Sequence, residues 1–141
     1  MRLALHTDYA LRMLLFLATR GGRSTIQEVA EFYGVSAHHL GKVAHQLGRL
    51  GYVRSVRGPG GGIELVRVPG RITVGEVVAD FEGRNIHLLD CIDTPGLCVI
   101  QPGCTLRRVL AEAERRQMEY LNGVTLEALL PPRHDLGAFR A

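Results

Sequence analysis

Tryptophan is absent from the 141 residues, and aromatic side chains make up only 6% of them. The missing tryptophan excludes nothing by itself. A second absence says more, because no apolar run approaches the roughly 18–20 residues that a membrane helix needs. The longest, LRMLLFLA at residues 11–18, is too short and lacks a signal-peptide cleavage pattern. A cytoplasmic chain with no membrane partner is therefore expected, and in that compartment thiols stay reduced. There are three cysteines, an odd number for a disulfide framework, and they lack the close C-x₂₋₄-C pair typical of structural zinc. Carboxylates are missing from the whole stretch between Ser36 and Leu50.

What is present suits one domain with an appendage: 46% hydrophobic and 22% charged residues are enough for a packed core. The net charge of +3 is unevenly spread. Residues 1–67 hold nine Arg or Lys against four Asp or Glu, a balance of +5; residues 68–141 hold eight against ten, a balance of −2. A basic first half suggests a polyanionic partner.

Residues 7–20 read as a helix that is apolar almost all round, with Leu11, Leu14, Leu15 and Ala18 at i, i+3, i+4 and i+7. Thr25 and Glu28 form a capping-box signal for a second helix, and Gly34 is a stop signal. Ser36 then caps a third helix across a turn of about three or four residues, the spacing of a helix-turn-helix. Leu40, Val43, Ala44 and Leu47 make the core stripe of that third helix. The opposite stripe, His38, Lys42, His45 and Arg49, offers donors and cations only. It is either a solvated polar face or a DNA reader, and its place as the second helix of the motif favours the reader.

Two β-rich runs, residues 52–57 and 63–68, flank GPGGG and predict a hairpin bearing Arg54, Arg57 and Arg67. A phosphate-cradling nucleotide loop would join strand to helix and continue into Lys-Ser/Thr, so this glycine loop is read as a wing. No enzyme is expected. Ser36, His38, His39, Lys42, Arg49, Arg57 and the tip Gly58, Pro59 and Gly60 are the candidate contacts to double-stranded DNA. Thr73 and Glu76 open a fourth helix with a second capping box. The stretch TLRRVLAEAERRQMEYL predicts a long amphipathic helix whose stripe of Leu106, Val109, Leu110 and Ala113 needs a cover; a second copy of the chain is the economical one.

All the cysteines lie in CIDTPGLCVIQPGC, spaced C-x₆-C-x₅-C. Zinc, disulfides, buried thiols and an iron–sulfur cluster compete for them. Thr94-Pro95-Gly96 and Gln101-Pro102-Gly103 look like loop, and a loop bringing three thiolates round one point suits a cluster. The spacing alone does not decide among the four.

The order of elements, with TDYALRMLLFLA, the 26–62 stretch ending in RGPGGG, and three cysteines running into CTLRRVLAEA, resembles the bacterial iron–sulfur winged-helix transcriptional regulators over roughly residues 1–130. The likeness leans toward their nitric-oxide-sensitive repressors, because Arg107 stands where the cluster-assembly regulators carry a ligating histidine. CVIQPGCTLRRVL and YLNGVTLEALL lean the same way.

The resemblance implies a mainly α fold with a small β wing. It also implies a homodimeric repressor whose operator binding answers to an iron–sulfur cluster that reacts with nitric oxide. Cys91, Cys98 and Cys104 would be ligands, with a 4Fe–4S cluster favoured and 2Fe–2S the alternative. Asp8, from either subunit, is the leading fourth ligand, against a plain reading as a helix-start carboxylate favoured by the macrodipole. His87, Asp90 and Asp93 are local alternatives. The expected layout is a winged domain with linking helix at 1–82, a cysteine loop at 83–104, dimerisation and short terminal helices at 105–130, and a loose tail at 131–141. Sensing of iron or cluster supply is the second reading. An electron-transfer protein and a zinc-clipped adaptor are the readings from other classes.

Overall fold

The computed structural model describes residues 2–83, 87–132 and 135–137. Among the described residues, five helices and one two-stranded sheet run in the order α1 (Leu5–Arg20), α2 (Ile26–Tyr33), α3 (Ala37–Arg49), β1 (Val53–Val56), β2 (Gly62–Leu65), α4 (Val74–Glu82) and α5 (Thr105–Asn122). Short 3₁₀ turns occupy Pro69–Arg71, Asp90–Ile92, Gln101–Gly103 and Glu127–Leu129. The expected class, mainly α with a small β wing, is the one observed.

Helix α1 is the centre of the molecule. Ala10, Met13, Leu14 and Leu17 are buried, and on them pack Val29 and Ala30 of α2, the whole α3 stripe, Tyr52, Val53, Ile63, and Val77 and Phe81 of α4. A helix this apolar is stable only where neighbours cover it, and this arrangement buries most of its apolar side chains, leaving Leu5 exposed and Leu11 and Leu15 half-buried. Both capping boxes form, Thr25 with Glu28 and Thr73 with Glu76, and Gly34 ends α2 in the left-handed region at φ 65°.

The strands pair antiparallel, Val53 opposite Leu65 and Val56 opposite Gly62, and are shorter than the expected hairpin. Arg57 lies beyond the ladder, and after Leu65 the chain turns away, leaving Val66 and Val68 exposed. At the root of the wing Ser24 and Ile63 exchange backbone hydrogen bonds of 3.0 and 2.8 Å. A Cβ on Gly62 would meet Ser24 O at 2.6 Å, so glycine is required for this close approach.

The start of α4 sits directly on the end of α5. Val74 N–H donates to Val124 O (2.8 Å) and Leu126 N–H to Ile72 O (2.9 Å). A Cβ on Gly75 would lie 2.1 Å from Asn122 Oδ1. The other end of α5 is not covered in this way: no α5 residue is buried, and Leu106 and Val109 are 59% and 61% exposed. The tail, expected to be loose, returns Leu136 against the core beside Phe16 and Phe32, while residues 133–134 and 138–141 lie outside the described residues. Leu136 is apolar and can cover the rim of that aromatic pair, which the periodicity of the tail did not signal.

Candidate DNA-reading face and cysteine loop

The helix-turn-helix places its charges as the sequence suggests. Ser36 Oγ accepts the His39 N–H at 3.5 Å and caps α3. With Leu40, Val43, Ala44 and Leu47 turned inward, Ser36, His38, His39, Lys42, His45 and Arg49 are all exposed. Arg57, Gly58, Pro59 and Gly60 are exposed at the wing tip. The other wing arginines are engaged. Arg54 pairs with Glu64 (2.6 Å), and the partnership with Arg54 and Arg23 holds that carboxyl below its usual range.

Arg67, read with the wing, turns back to its base instead. It pairs with Glu76, donates to Arg71 O, and lies 5.4 Å from the centre of the Tyr52 ring. Tyr52 donates its hydroxyl to Asp80 Oδ2 at 2.6 Å; burial, then the bond to Asp80, pushes its pKa up. The wing is thereby fastened to α4. Sequence reasoning also missed Arg23, whose Nη1 donates to Gly60 O at 3.0 Å and so braces the wing tip from the α1–α2 turn.

Asp8 stands in the first turn of α1, half-buried, with Arg12 Nε donating to its Oδ1 at 2.9 Å. Its helix start is fixed by Glu82, a buried carboxylate at the end of α4. Glu82 Oε1 accepts the Ala4 N–H (2.7 Å) and the Thr7 hydroxyl (2.6 Å). His6 Nε2 donates to Phe81 O at 3.1 Å. The turn carrying Asp8 is therefore joined to the residues that lead into the cysteine loop.

Residues 84–86 of that loop lie outside the described residues; the remainder is held by polar contacts. Gln101, buried, donates to Cys91 O (2.7 Å) and Thr94 O (2.8 Å) and accepts the Gly96 N–H (2.7 Å). His87 is clasped on both sides, Nδ1 to Glu114 (2.9 Å) and Nε2 to Asp93 (2.8 Å), and the bond to Glu114 leads the causes that raise its pKa. Of the local alternatives for a fourth ligand, His87 and Asp93 thus engage each other, and Asp90 is exposed at the start of a 3₁₀ turn.

Cys91 and Cys104 are half-buried and Cys98 is exposed. Cys104 caps α5, its Sγ accepting the Arg107 N–H at 3.4 Å. Arg107 Nη2 donates to Ile92 O (2.9 Å), while its Nε is buried without a hydrogen-bond partner among the described residues.

The described residues bring no three His, Cys, Asp or Glu close enough together to hold a metal ion. The fit to a sulfur-ligated iron group rests on the donors: three thiols on one ordered loop, one at a helix N-terminus, beside an orphaned guanidinium N–H. These suit an anionic, thiolate-held group.

Residues 3–132 match the Rrf2 family, described as iron-dependent transcriptional regulators. The chain belongs to the Rrf2 family. It is 43% identical over 139 residues to the HTH-type transcriptional regulator NsrR of Bacillus subtilis, covering 96% of this chain and 94% of that one. It is 40% identical over 139 residues to NsrR of Geobacillus kaustophilus, again with 96% and 94% covered. Among solved structures, CymR of B. subtilis superposes with a TM-score of 0.76 at 24% identity, covering 92% of this chain and 95% of that one. IscR of T. potens superposes with a TM-score of 0.74 at 25% identity, covering 92% and 86%. This Rrf2 member is accordingly a transcriptional regulator with a winged helix-turn-helix and not an enzyme. No helix among its described residues is long and apolar enough to cross a membrane.

Proposed function

We propose that this protein is a cytoplasmic, homodimeric repressor whose operator binding is controlled by an iron–sulfur cluster that reacts with nitric oxide. The observation carrying the reading is the placement of all three thiols on the one segment between α4, fastened to the wing, and α5, whose start is uncovered. NsrR relatives at 37–43% identity over nearly the whole chain support the nitric-oxide branch.

Helix α3 enters the major groove, where Ser36, His38, His39 and Lys42 reach bases and phosphates and Arg49 a phosphate. Arg57 and the Gly58-Pro59-Gly60 tip lie against the neighbouring backbone or minor groove. A second copy covers Leu106 and Val109, setting two reading helices at the spacing of two half-sites. Cys91, Cys98 and Cys104 would hold the cluster, in 4Fe–4S form by preference, with Asp8, from either subunit, as the fourth ligand. When bound, the cluster supplies iron that reacts directly with nitric oxide. The chain's own part is to convert the loop's conformation into a change of operator affinity, through Glu82 to α1 and through Tyr52 and Arg67 to the wing.

The test is anaerobic purification, an absorption spectrum, and a nitric oxide titration followed both spectrally and by operator binding. Loss of binding in step with the spectral change is expected. If Cys98→Ala kept the iron content and the nitric-oxide-sensitive binding, the mechanism would be wrong. The description of the family as iron-dependent favours a second reading, sensing of iron or cluster supply. Derepression under iron starvation without nitric oxide would select it.

A further inference from the structure

We infer that Arg107 is a positioning residue for the cluster, its buried Nε–H donating to a sulfur of the bound group. The inference rests on the cluster reading above. Arg107 meets the surroundings of all three cysteines. Its backbone N–H is on Cys104 Sγ at 3.4 Å, and its Nη2 is on the carbonyl of Ile92, next to Cys91, at 2.9 Å. It lines one hollow together with Gln101 and Cys104, and a second together with Gly96 and Cys98.

The bond to Ile92 fixes the guanidinium within the loop and leaves Nε–H buried with no acceptor among the described residues. A buried N–H of a charged group calls for an acceptor, and an anionic sulfur is one. Arginine is never deprotonated in a protein, so it is not a metal ligand at this position. Its contribution is a fixed positive charge and a directed donor.

Both favour the more negative oxidation state of the group and raise its reduction potential. A residue that merely ties α5 to Ile92 would leave the potential alone.

The experiment uses the full chain, purified anaerobically, with iron and sulfide assayed and the one-electron couple followed by spectroelectrochemical titration. Arg107→Gln removes the charge and the Nε donor. Its expected effect is about a tenfold fall in the ratio of reduced to oxidised protein at the wild-type midpoint, about 59 mV for one electron. Arg107→Lys keeps the charge and drops the Nε donor, so a smaller shift in the same direction is expected. An unshifted potential in either variant that keeps its iron and sulfide overturns the inference. Where Arg107→Gln loses the group, Arg107→Lys decides. A wild-type protein without iron or sulfide refutes the cluster reading itself, whereas a loaded protein with unshifted variants refutes the role of Arg107 alone.

Discussion

The winged-helix half and the cysteine loop are stabilised in opposite ways. The first closes apolar side chains of α2, α3, α4 and the two strands around α1, and the starts of α2 and α4 are capped reciprocally. The second has no buried apolar residue among residues 87–104; its one buried side chain is the amide of Gln101. Val99, in the middle of it, is 98% exposed. A region held by a few polar contacts opens at low cost, and such regions are where ligands alter conformation. The fold therefore separates a tightly packed half, which carries the helix-turn-helix, from a lightly held one, which carries the thiols.

Cutting into the apolar half should do the most damage. Leu14→Ala is expected to lower global stability by about 2–5 kcal/mol, read from urea unfolding. Gln101→Ala removes three hydrogen bonds and should cost about 1–3 kcal/mol. That loss should be confined to the loop: hydrogen exchange at the Gly96 amide accelerates while protection in α1 is unchanged. Equal loss of protection in both halves would end the comparison.

Thr25→Ala takes away one half of a capping box and should cost about 1 kcal/mol, measured as a shift in the urea midpoint. A smaller, pH-dependent effect belongs to His87. Its pKa is raised above the ordinary 6.5, so the stability gained from its clasp is complete below that value and is lost as pH rises through the raised one. Thermal melts of the metal-free protein should show this decline above about pH 6.5, and His87→Gln should flatten it. Val99→Ser, at the far end of the scale, should stay within about 0.5 kcal/mol of the parent.

Much of the winged half was legible in the sequence because its signals are local. Thr25 with Glu28, Ser36, Gly34, and the 40, 43, 44, 47 stripe each lie within a few residues of the groups they satisfy. The hairpin was read too long because β propensity does not reveal where the pairing stops, and Arg67 was assigned to the wing for the same reason. Its partner Glu76 and the Tyr52–Asp80 bond are tertiary, with no periodicity to announce them. In the loop, Cys91, Cys98 and Cys104 announced themselves by clustering. Gln101 did not: it sits in a proline–glycine turn that reads as solvent-facing, and only the folded loop turns its amide inward. Glu82, at the end of an amphipathic helix, likewise reads as surface until α1 arrives to bury it.

The zero clearance at Gly75 and Asn122 has a mechanical consequence. It makes the junction of α4 with α5 a fulcrum and α5 a lever arm of 18 residues, about 27 Å long, with Cys104 at its far end, next to the Arg107–Ile92 bond. A tilt of about 5° at the pivot carries that end through about 2 Å. On the proposed cluster reading, a small rearrangement among the thiols would be geared down at the pivot and reach the wing-bound helix as a slight rotation.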